Sequence, residues 1–200
     1  MLFEVKGLSG PNVPPVSFAL AAGEVLPVRG ESGVGKSQML RALADLSPHE
    51  GEISLGGVEQ QSMPATDWRR QVVLVPAESG WWGDTVAEHF PDRPIATWWE
   101  RLRLREALWQ SPVERLSSGE RQRLAVLRAL ALEPRVLLLD EPTANLDAGN
   151  AESMAGLLLD YLREQDAAAV WISHDPREVA AHGDRWLEMT AEGGVLHGTV

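Results

Sequence analysis

Short segments that are nearly continuously apolar recur along the chain, at 24–30, 71–76, 135–140 and 167–175. Such segments are typical of strands that are covered on both faces of a parallel sheet. Segments with helical periodicity lie between them, at 36–46, 119–132 and 150–164. Strands that alternate with helices predict an α/β fold with a mostly parallel sheet. Pro27 argues against the first strand, because proline cannot donate a ladder hydrogen bond.

The N-terminal third of the chain has a different pattern, in which shorter stretches are broken by glycine and proline. These stretches, 3–8, 16–20 and 51–60, predict the strands of a small antiparallel sheet. Gly56 and Gly57 lie where a tight hairpin turn needs residues with positive φ. We therefore expect an N-terminal antiparallel β subdomain beside the parallel sheet.

Residues 77–116 hold five of the eight tryptophans, at positions 81, 82, 98, 99 and 109. The run TWWERLRLREALW, 97–109, has the pattern of a helix. We predict a small inserted helical subdomain here, within a single domain 1–200 whose core is formed by 1–76 and 117–200. The tryptophans either fill the core of this subdomain or form an exposed interface with the arginines at 101, 103 and 105.

Composition excludes several classes of protein. The 200 residues are 44% hydrophobic and 24% charged, near the averages for a globular chain. The longest apolar run, 167–172, is far shorter than the about 20 residues that a membrane-spanning helix needs. We see no export signal at the N-terminus. The chain has no cysteine, so disulfides and thiolate metal sites are excluded.

The net charge of −11 argues against nucleic acid as a partner. The one basic region is 93–128, which holds eight arginines and four glutamates. We interpret this region as a solvated helical face rather than a site for an anionic polymer. The sequence therefore predicts no nucleic-acid partner.

The sequence GESGVGKS, 30–37, follows an apolar strand, precedes a helix and fits the phosphate-binding pattern G-x-x-x-x-G-K-[ST]. Its glycines let successive N–H groups curl around an anion, and the helix N-terminus adds about half a positive charge. Lys36 is placed to bind the β- and γ-phosphates, and the Ser37 hydroxyl to ligate Mg²⁺. The predicted nucleotide-binding residues of this loop are Gly30, Glu31, Ser32, Gly33, Val34, Gly35, Lys36, Ser37 and Gln38.

A second candidate site is RVLLLDEPT, 135–143, an apolar strand that ends in two adjacent carboxylates. Alternation along a strand would point Asp140 and Glu141 to different sides. Asp140 would then hold Mg²⁺, and Glu141 would orient or deprotonate the attacking water. Together with the phosphate-binding loop, the two carboxylates predict a P-loop NTPase core that hydrolyses a nucleoside triphosphate.

The segment LSSGERQRLAVLRALALEP, 116–134, resembles the signature motif of the ATP-binding cassette (ABC) ATPases. ANLD, 144–147, resembles the D-loop of that family, and His174 resembles its switch histidine. The order and rough spacing of these motifs match over essentially the whole chain. The resemblance implies the ABC form of the fold, with ATP as substrate and His174 in catalysis beside Glu141. It adds as nucleotide-binding residues Ser117, Ser118, Gly119, Glu120 and Asp147.

The signature also has a physical interpretation, since Ser117, Ser118 and Gly119 open a helix and leave N–H donors at its tip. One nucleotide cannot easily touch this tip and the phosphate-binding loop of one compact chain. The resemblance implies a head-to-tail dimer of two copies, with each ATP and its Mg²⁺ between them. It also implies a polytopic transmembrane transporter subunit as partner, and hence a cytoplasmic chain held at the inner face of the cell membrane.

Three features depart from the family pattern. Ala77 stands where a glutamine usually touches Mg²⁺, and the neighbouring Glu78 either replaces that glutamine or does not. Ser118 brings a side chain to a position of the signature that is normally bare. The aromatic residue that usually stacks on adenine is missing from LSGPNVPP, 8–15, which predicts loose base selectivity.

The leading hypothesis is the ATPase subunit of a membrane transporter, and three alternatives remain. A DNA-repair or chromosome-structuring ATPase would need a long coiled coil, yet only 79 positions separate Ser37 from Leu116. A ribosome-associated factor of this family normally carries two cassettes. A non-hydrolysing, nucleotide-dependent interaction module is favoured by Ala77 and Ser118.

Among transporters, the stretches WWGDTVAEHF and YLREQDAAAVWISHD are similar to a short bacterial subgroup linked with iron or metal export. The transported substrate is normally recognised by the membrane subunits. The sequence therefore predicts neither the substrate nor the direction of transport.

Overall fold

Two sheets and five α-helices make up the described part of the structure, a computed structural model that describes residues 1–90, 96–173 and 185–198. The strands are β1 (Phe3–Gly10), β2 (Val13–Leu20), β3 (Val25–Gly30), β4 (Glu50–Leu55), β5 (Val58–Glu59), β6 (Val72–Val75), β7 (Val136–Asp140), β8 (Ala168–Ile172), β9 (Trp186–Met189) and β10 (Gly194–His197). The α-helices are α1 (Lys36–Leu43), α2 (Ala65–Gln71), α3 (Ala96–Arg101), α4 (Ser118–Leu130) and α5 (Ala148–Glu164). In these ranges no helix combines the length and the apolar character that crossing a bilayer requires.

The central sheet has six strands in the order β10–β9–β3–β8–β7–β6. Its neighbouring strands pair in parallel, except that β10 pairs antiparallel with β9. Every residue of β7 and β8 is buried, as expected for strands that are covered on both faces. The predicted α/β fold with a mostly parallel sheet is confirmed.

Pro27 lies inside β3 although it cannot donate a ladder hydrogen bond. The carbonyl of Glu24 accepts a hydrogen bond from Ala169 on the β8 side, so backbone alternation turns Pro27 towards β9. The pairing of β3 with β9 begins only at Val28. Pro27 therefore lies just before the stretch of β3 that pairs with β9, where no N–H donor is needed on the β9 side. The strand β3 is present although proline argued against it.

The N-terminal sheet is antiparallel and has the strand order β2–β1–β4–β5. Gly56 and Gly57 join β4 to β5 with φ values of 59° and 80°. Positive φ at both central residues is what a tight hairpin turn of this kind needs, and glycine adopts it without steric cost. The predicted antiparallel β subdomain and its hairpin are confirmed.

The central sheet separates two hydrophobic clusters. On one face, Leu40 of α1 and residues of the antiparallel sheet pack with Leu138 of β7. On the other face, Leu124 of α4 and Leu158 of α5 pack with Leu137, the neighbouring residue of the same strand. Helices α1 and α4 therefore cover opposite faces of one sheet.

The run 97–109 does not form the single helix that its pattern indicates. Helix α3 ends at Arg101, and Arg103 has a left-handed backbone with φ 51°. The chain then continues as a 3-10 turn at Glu106–Gln110. A non-glycine residue in the left-handed region cannot continue a right-handed helix, so the run is helical only in part. The proposed subdomain boundaries at 77 and 116 stay a prediction.

The tryptophans of this segment divide between the two alternatives left open by the sequence. Trp99 is buried in the cluster that also contains α4 and α5, and Trp81, Trp98 and Trp109 pack against that cluster. Trp82 is 73% exposed. Most of these rings therefore contribute to the core, and one remains available to a partner.

Candidate nucleotide site

The loop 30–37 joins the end of β3 to the start of α1, as the sequence predicts. Gly30, Gly33 and Gly35 all have positive φ, at 146°, 83° and 103°. Gly35 has the least room, because a Cβ at this position would clash with the carbonyl oxygen of Asn12 in the turn between β1 and β2. The backbone of the loop is thus curled as a phosphate-binding loop requires. At Gly35 it packs against the β1–β2 turn of the antiparallel sheet.

Lys36 is buried at the first position of α1, and its Nζ donates to the carbonyl oxygens of Gly30 and Glu31, both at 2.8 Å. Burial lowers the pKa of Lys36 below its usual 10.5, and the carboxylates of Glu141 and Asp140 partly oppose this shift. The loop lysine and the two carboxylates therefore interact electrostatically. The structure brings the two candidate sites of the sequence together.

The parallel pairing of the central strands explains this proximity. The carboxyl ends of β3, β8 and β7 lie at one edge of the sheet, and both Gly30 and Asp140 are strand ends there. Glu141 lies beyond the strand, has φ 49° and donates its N–H to the carbonyl of Ile172 at 3.0 Å. Strand alternation, from which the sequence predicted the direction of its side chain, does not apply to Glu141. A left-handed non-glycine residue costs about 1–3 kcal/mol and often marks a functional site.

Ser37 and Asp140, the predicted Mg²⁺ ligands, suit that ion chemically. Both offer oxygen atoms, and Mg²⁺ in nucleotide sites usually takes one or two protein ligands together with phosphates and waters. No group of three or more Asp, Glu or His side chains within the described ranges could hold a metal alone. The arrangement fits an ion that arrives with a nucleotide.

The signature lies at the N-terminus of α4, which begins at Ser118 rather than near Glu120. Ser117 caps the helix through a capping box: its Oγ accepts the N–H of Glu120, while the Glu120 carboxylate accepts the N–H of Ser117. The Ser117 hydroxyl also donates to Oε2 of Glu120 at 2.8 Å. The hydroxyl that the sequence assigned to a nucleotide is thus hydrogen-bonded to the carboxylate of its own helix.

Asp147, at the end of the D-loop, is the N-cap of α5. Its carboxylate accepts the backbone N–H of Asn150 at 2.9 Å and the Asn150 side-chain amide at 2.6 Å. These hydrogen bonds lower the pKa of Asp147, with a smaller contribution from Arg103. Leu146 lies against Gly119, since a Cβ on Gly119 would come within 3.2 Å of Leu146 Cδ2. The D-loop and the signature are therefore in direct contact.

Arg123 is a residue of the site that sequence reasoning missed. It is buried, and its guanidinium donates to the carbonyl of Leu102 at 2.6 Å and to the Asn150 side chain at 3.3 Å. Burial lowers its pKa, against the opposing effect of Glu120 and Asp147. The only sequence signal was its membership of an arginine-rich region, which suggested a solvated face.

The structure does not test the predicted roles of His174 and of Glu78. His174 lies outside the described residues. Ala77 follows β6 and is partly buried, with Glu78 exposed beside it. The replacement of the missing glutamine by Glu78 stays a prediction.

A phosphate-binding loop beside the carboxylate that ends β7 and the one that follows it, with a second helix N-terminus packed on a D-loop, defines an ATP-binding cassette. The chain belongs to the ABC transporter family, whose model matches residues 13–144. It is similar to the probable iron export ATP-binding protein FetA of Escherichia coli, with 32% identity over 193 residues that cover 90% of this chain and 85% of that one. It is also similar to the cobalt import ATP-binding protein CbiO of Rhodobacter capsulatus, with 36% identity over 187 residues that cover 85% of this chain and 66% of that one.

Solved structures share the fold. An ATP-binding subunit of an ABC transporter superposes with a TM-score of 0.85 and 24% identity, covering 100% of this chain and 90% of that one. A dimeric ATP-binding cassette in a post-hydrolysis state with ADP and Pi gives a TM-score of 0.77 at 24% identity, covering 96% of each chain. The predicted ABC form of the P-loop NTPase fold is confirmed.

Proposed function

We propose that this chain hydrolyses ATP in a head-to-tail dimer and thereby powers a separate membrane-spanning transporter subunit. The observation that carries the proposal is that the phosphate-binding loop and the signature open helices on opposite faces of the central sheet. The two helices are roughly 20 Å apart if each packed layer is about 10 Å thick. One triphosphate cannot bridge that distance. A second copy related by a two-fold axis presents its signature to the first loop and receives the same contact in return.

The residues at the sheet edge have distinct roles in this proposal. Lys36 and the N–H groups of the loop hold the β- and γ-phosphates. Ser37 and Asp140 would hold Mg²⁺, which would supply neutralisation of the phosphate charge. Glu141 orients or deprotonates the water that attacks the γ-phosphate, and His174 contacts that phosphate. The signature of the second copy binds the same γ-phosphate from the opposite side. Loss of the γ-phosphate therefore removes the contact between the copies and opens the dimer.

The exposed side of the segment after β6 is the surface that we assign to the membrane subunit. The ring of Trp82 projects into solvent beside Trp81, and the Arg128 guanidinium lies 4.8 Å from the centroid of each ring. His89 holds the loop in place, since its Nε2 accepts the N–H groups of Trp82 and Gly83 at 2.9 Å. A rigidly held, exposed tryptophan suits a protein interface. The chain is then cytoplasmic and reaches the inner face of the membrane through its partner.

Iron or another metal ion, moved outwards, is the cargo class that we propose. The match to FetA spans most of both chains, and that relative is named a probable iron export protein. CbiO is also named for a metal, but its name gives cobalt rather than iron and import rather than export. The longer mutual coverage of the FetA match supports export.

A nucleotide-dependent interaction module that does not hydrolyse ATP is the second candidate. Ala77 removes a side chain that usually touches Mg²⁺, and Ser118 adds one where the phosphate of the other copy would approach. The loss of one water-bridged contact costs on the order of 1 kcal/mol, which slows hydrolysis several-fold without abolishing it. We therefore favour the ATPase.

Phosphate release and self-association together test the proposal. Wild type should release phosphate from ATP in the presence of Mg²⁺, and Glu141→Gln should release at least a hundredfold less. ATP should convert Glu141→Gln from monomer to dimer in sedimentation velocity experiments. Glu164→Gln, which removes an exposed carboxylate at the end of α5, is the matched control and should behave as wild type. Equal phosphate release by wild type and Glu141→Gln would favour the module, and failure of Glu141→Gln to dimerise, even with the membrane subunit present, would remove the shared-site mechanism.

A further inference from the structure

The tip of α4 carries a negative charge where the proposed dimer has to receive a triphosphate. Oε2 of Glu120 lies 2.8 Å from Ser117 Oγ and 3.0 Å from Ser117 N. Oε1 of the same carboxylate accepts a hydrogen bond from Nη2 of Arg105 at 3.2 Å. One carboxylate thus connects the signature serine to an arginine of the segment between α3 and α4.

The carboxylate is ionised at neutral pH. Desolvation would raise the pKa of Glu120, but the hydrogen bonds from Ser117 and the ion pair with Arg105 outweigh it and lower the pKa below the usual range. An ionised carboxylate within hydrogen-bonding distance of Ser117 repels an incoming phosphate. It also occupies the hydroxyl proton that Ser117 would give to that phosphate. The signature tip therefore needs a compensating positive charge.

Arg105 is the cation that this carboxylate contacts, and its position suits the role. Its side chain is 77% exposed, so the guanidinium extends to the surface of the tip, whereas the Glu120 side chain is only 15% exposed. An ion pair this exposed contributes little to folding stability. Its long-range effect on an approaching anion is larger, because complementary charge at the rim of an interface controls association.

We propose that Arg105 is a positioning residue for the proposed dimer: it neutralises Glu120, so that the Ser117 end of α4 can accept the γ-phosphate of ATP bound to the other copy. The inference rests on the proposed function. Without Arg105 the tip presents a carboxylate that has lost its ion pair, and the buried Arg123 is the cation that still interacts with it electrostatically. Without both charges the tip is neutral again, and a glutamine at position 120 preserves the capping box.

The test compares variants in the Glu141→Gln background by the ATP concentration that gives half-maximal dimerisation at about 50 mM salt. Arg105→Gln should raise this concentration about fivefold, the scale of one exposed charge pair. Adding Glu120→Gln should restore it to within about twofold of the parent. The defect should also shrink at about 500 mM salt, because exposed charges are screened over about 4 Å there. Arg101→Gln, which breaks the exposed Arg101–Asp160 ion pair, is the matched control and should match the parent.

The outcomes separate this inference from the proposed function. If the Glu141→Gln parent fails to dimerise, the proposed function fails. If the parent dimerises and Arg105→Gln behaves identically, only the role of Arg105 is overturned. A defect that Glu120→Gln does not restore, or one accompanied by an equal loss of fluorescent ATP binding to monomers, would assign Arg105 a structural role and also overturn the inference.

Discussion

Alanine substitutions at two glycines of the phosphate-binding loop, Gly33 and Gly35, distinguish the cost of backbone strain from the cost of a steric clash. Gly35 has φ 103°, and an added Cβ would clash with the carbonyl oxygen of Asn12. Gly33 has φ 83°, but within the described residues nothing lies near an added Cβ except its own chain neighbours. Alanine at either position is strained, and only alanine at Gly35 also collides with another part of the fold.

The expected magnitudes follow from these two geometries. Left-handed backbone at a residue with a Cβ costs about 1–2 kcal/mol, which is the expected loss of unfolding free energy for Gly33→Ala. Gly35→Ala adds overpacking against a backbone atom, which typically costs about 1–3 kcal/mol. Its total loss should therefore be about 2–5 kcal/mol, a large part of the stability of an ordinary domain.

Urea unfolding followed by tryptophan fluorescence measures both losses, with the free energy extrapolated to zero denaturant. Binding of a fluorescent ATP analogue is the second readout. It should weaken more for Gly35→Ala, because either the Asn12 turn or the loop itself has to move. Equal unfolding free energies for the two variants, within about 0.5 kcal/mol, would refute the reasoning, since the contact between Asn12 and Gly35 would then impose no cost.

Three further predictions concern the base, the lysine and the core. The β1–β2 turn brings Asn12 rather than an aromatic ring to the loop, so GTP should be hydrolysed at a rate comparable to ATP; a preference for ATP above a hundredfold contradicts this. Because burial lowers the pKa of Lys36, ATP binding should weaken before the pH reaches 10.5, the usual pKa of a lysine, and ATP affinity measured from about pH 8 to pH 10.5 checks this; constant affinity over that whole range opposes the prediction. Tyr161→Phe leaves the buried carbonyl of Pro134 without its 2.9 Å hydrogen bond and should lower the unfolding free energy by about 1–2 kcal/mol in urea, whereas no change would show that water replaces the hydroxyl.

The sequence predicted those features whose physical cause lies in neighbouring residues. The uninterrupted apolar run of β7 can be buried only between two covered faces, and Gly56-Gly57 can be placed in a tight turn from its own conformational freedom. The phosphate-binding loop needs glycines, a lysine and a helix start within eight positions, so its identity is also local. In each case a short window contains the whole cause.

Contacts between distant segments could not be predicted in this way. The arginines at 105 and 123 look alike in the sequence, yet one is exposed beside Glu120 and the other is buried against the Leu102 carbonyl. The left-handed backbone of Glu141 has no marker such as glycine, and its N–H is held by β8, which comes 31 positions later. Tertiary contacts decide such features, and a single sequence does not record them.

The arginine-rich region shows what its positive charge does in the folded chain. Arg101 pairs with Asp160 of α5 at 2.7 Å, and Arg123 joins α4 both to the end of α3 and to Asn150 of α5. Because Asn150 in turn holds Asp147, the signature helix and the D-loop are connected by two successive side-chain contacts. A displacement of α4 on meeting a nucleotide must therefore carry Asp147 with it, break the part-buried hydrogen bond between Arg123 and Asn150, or break the hydrogen bonds between Asn150 and Asp147. Losing the hydrogen bond of the charged Arg123 costs about 1.5–3 kcal/mol. The lower-energy course is for α4 and the first turn of α5 to move together. Arg123, which belongs to a region that resembles a solvated face in the sequence, therefore holds the signature and the D-loop as one unit.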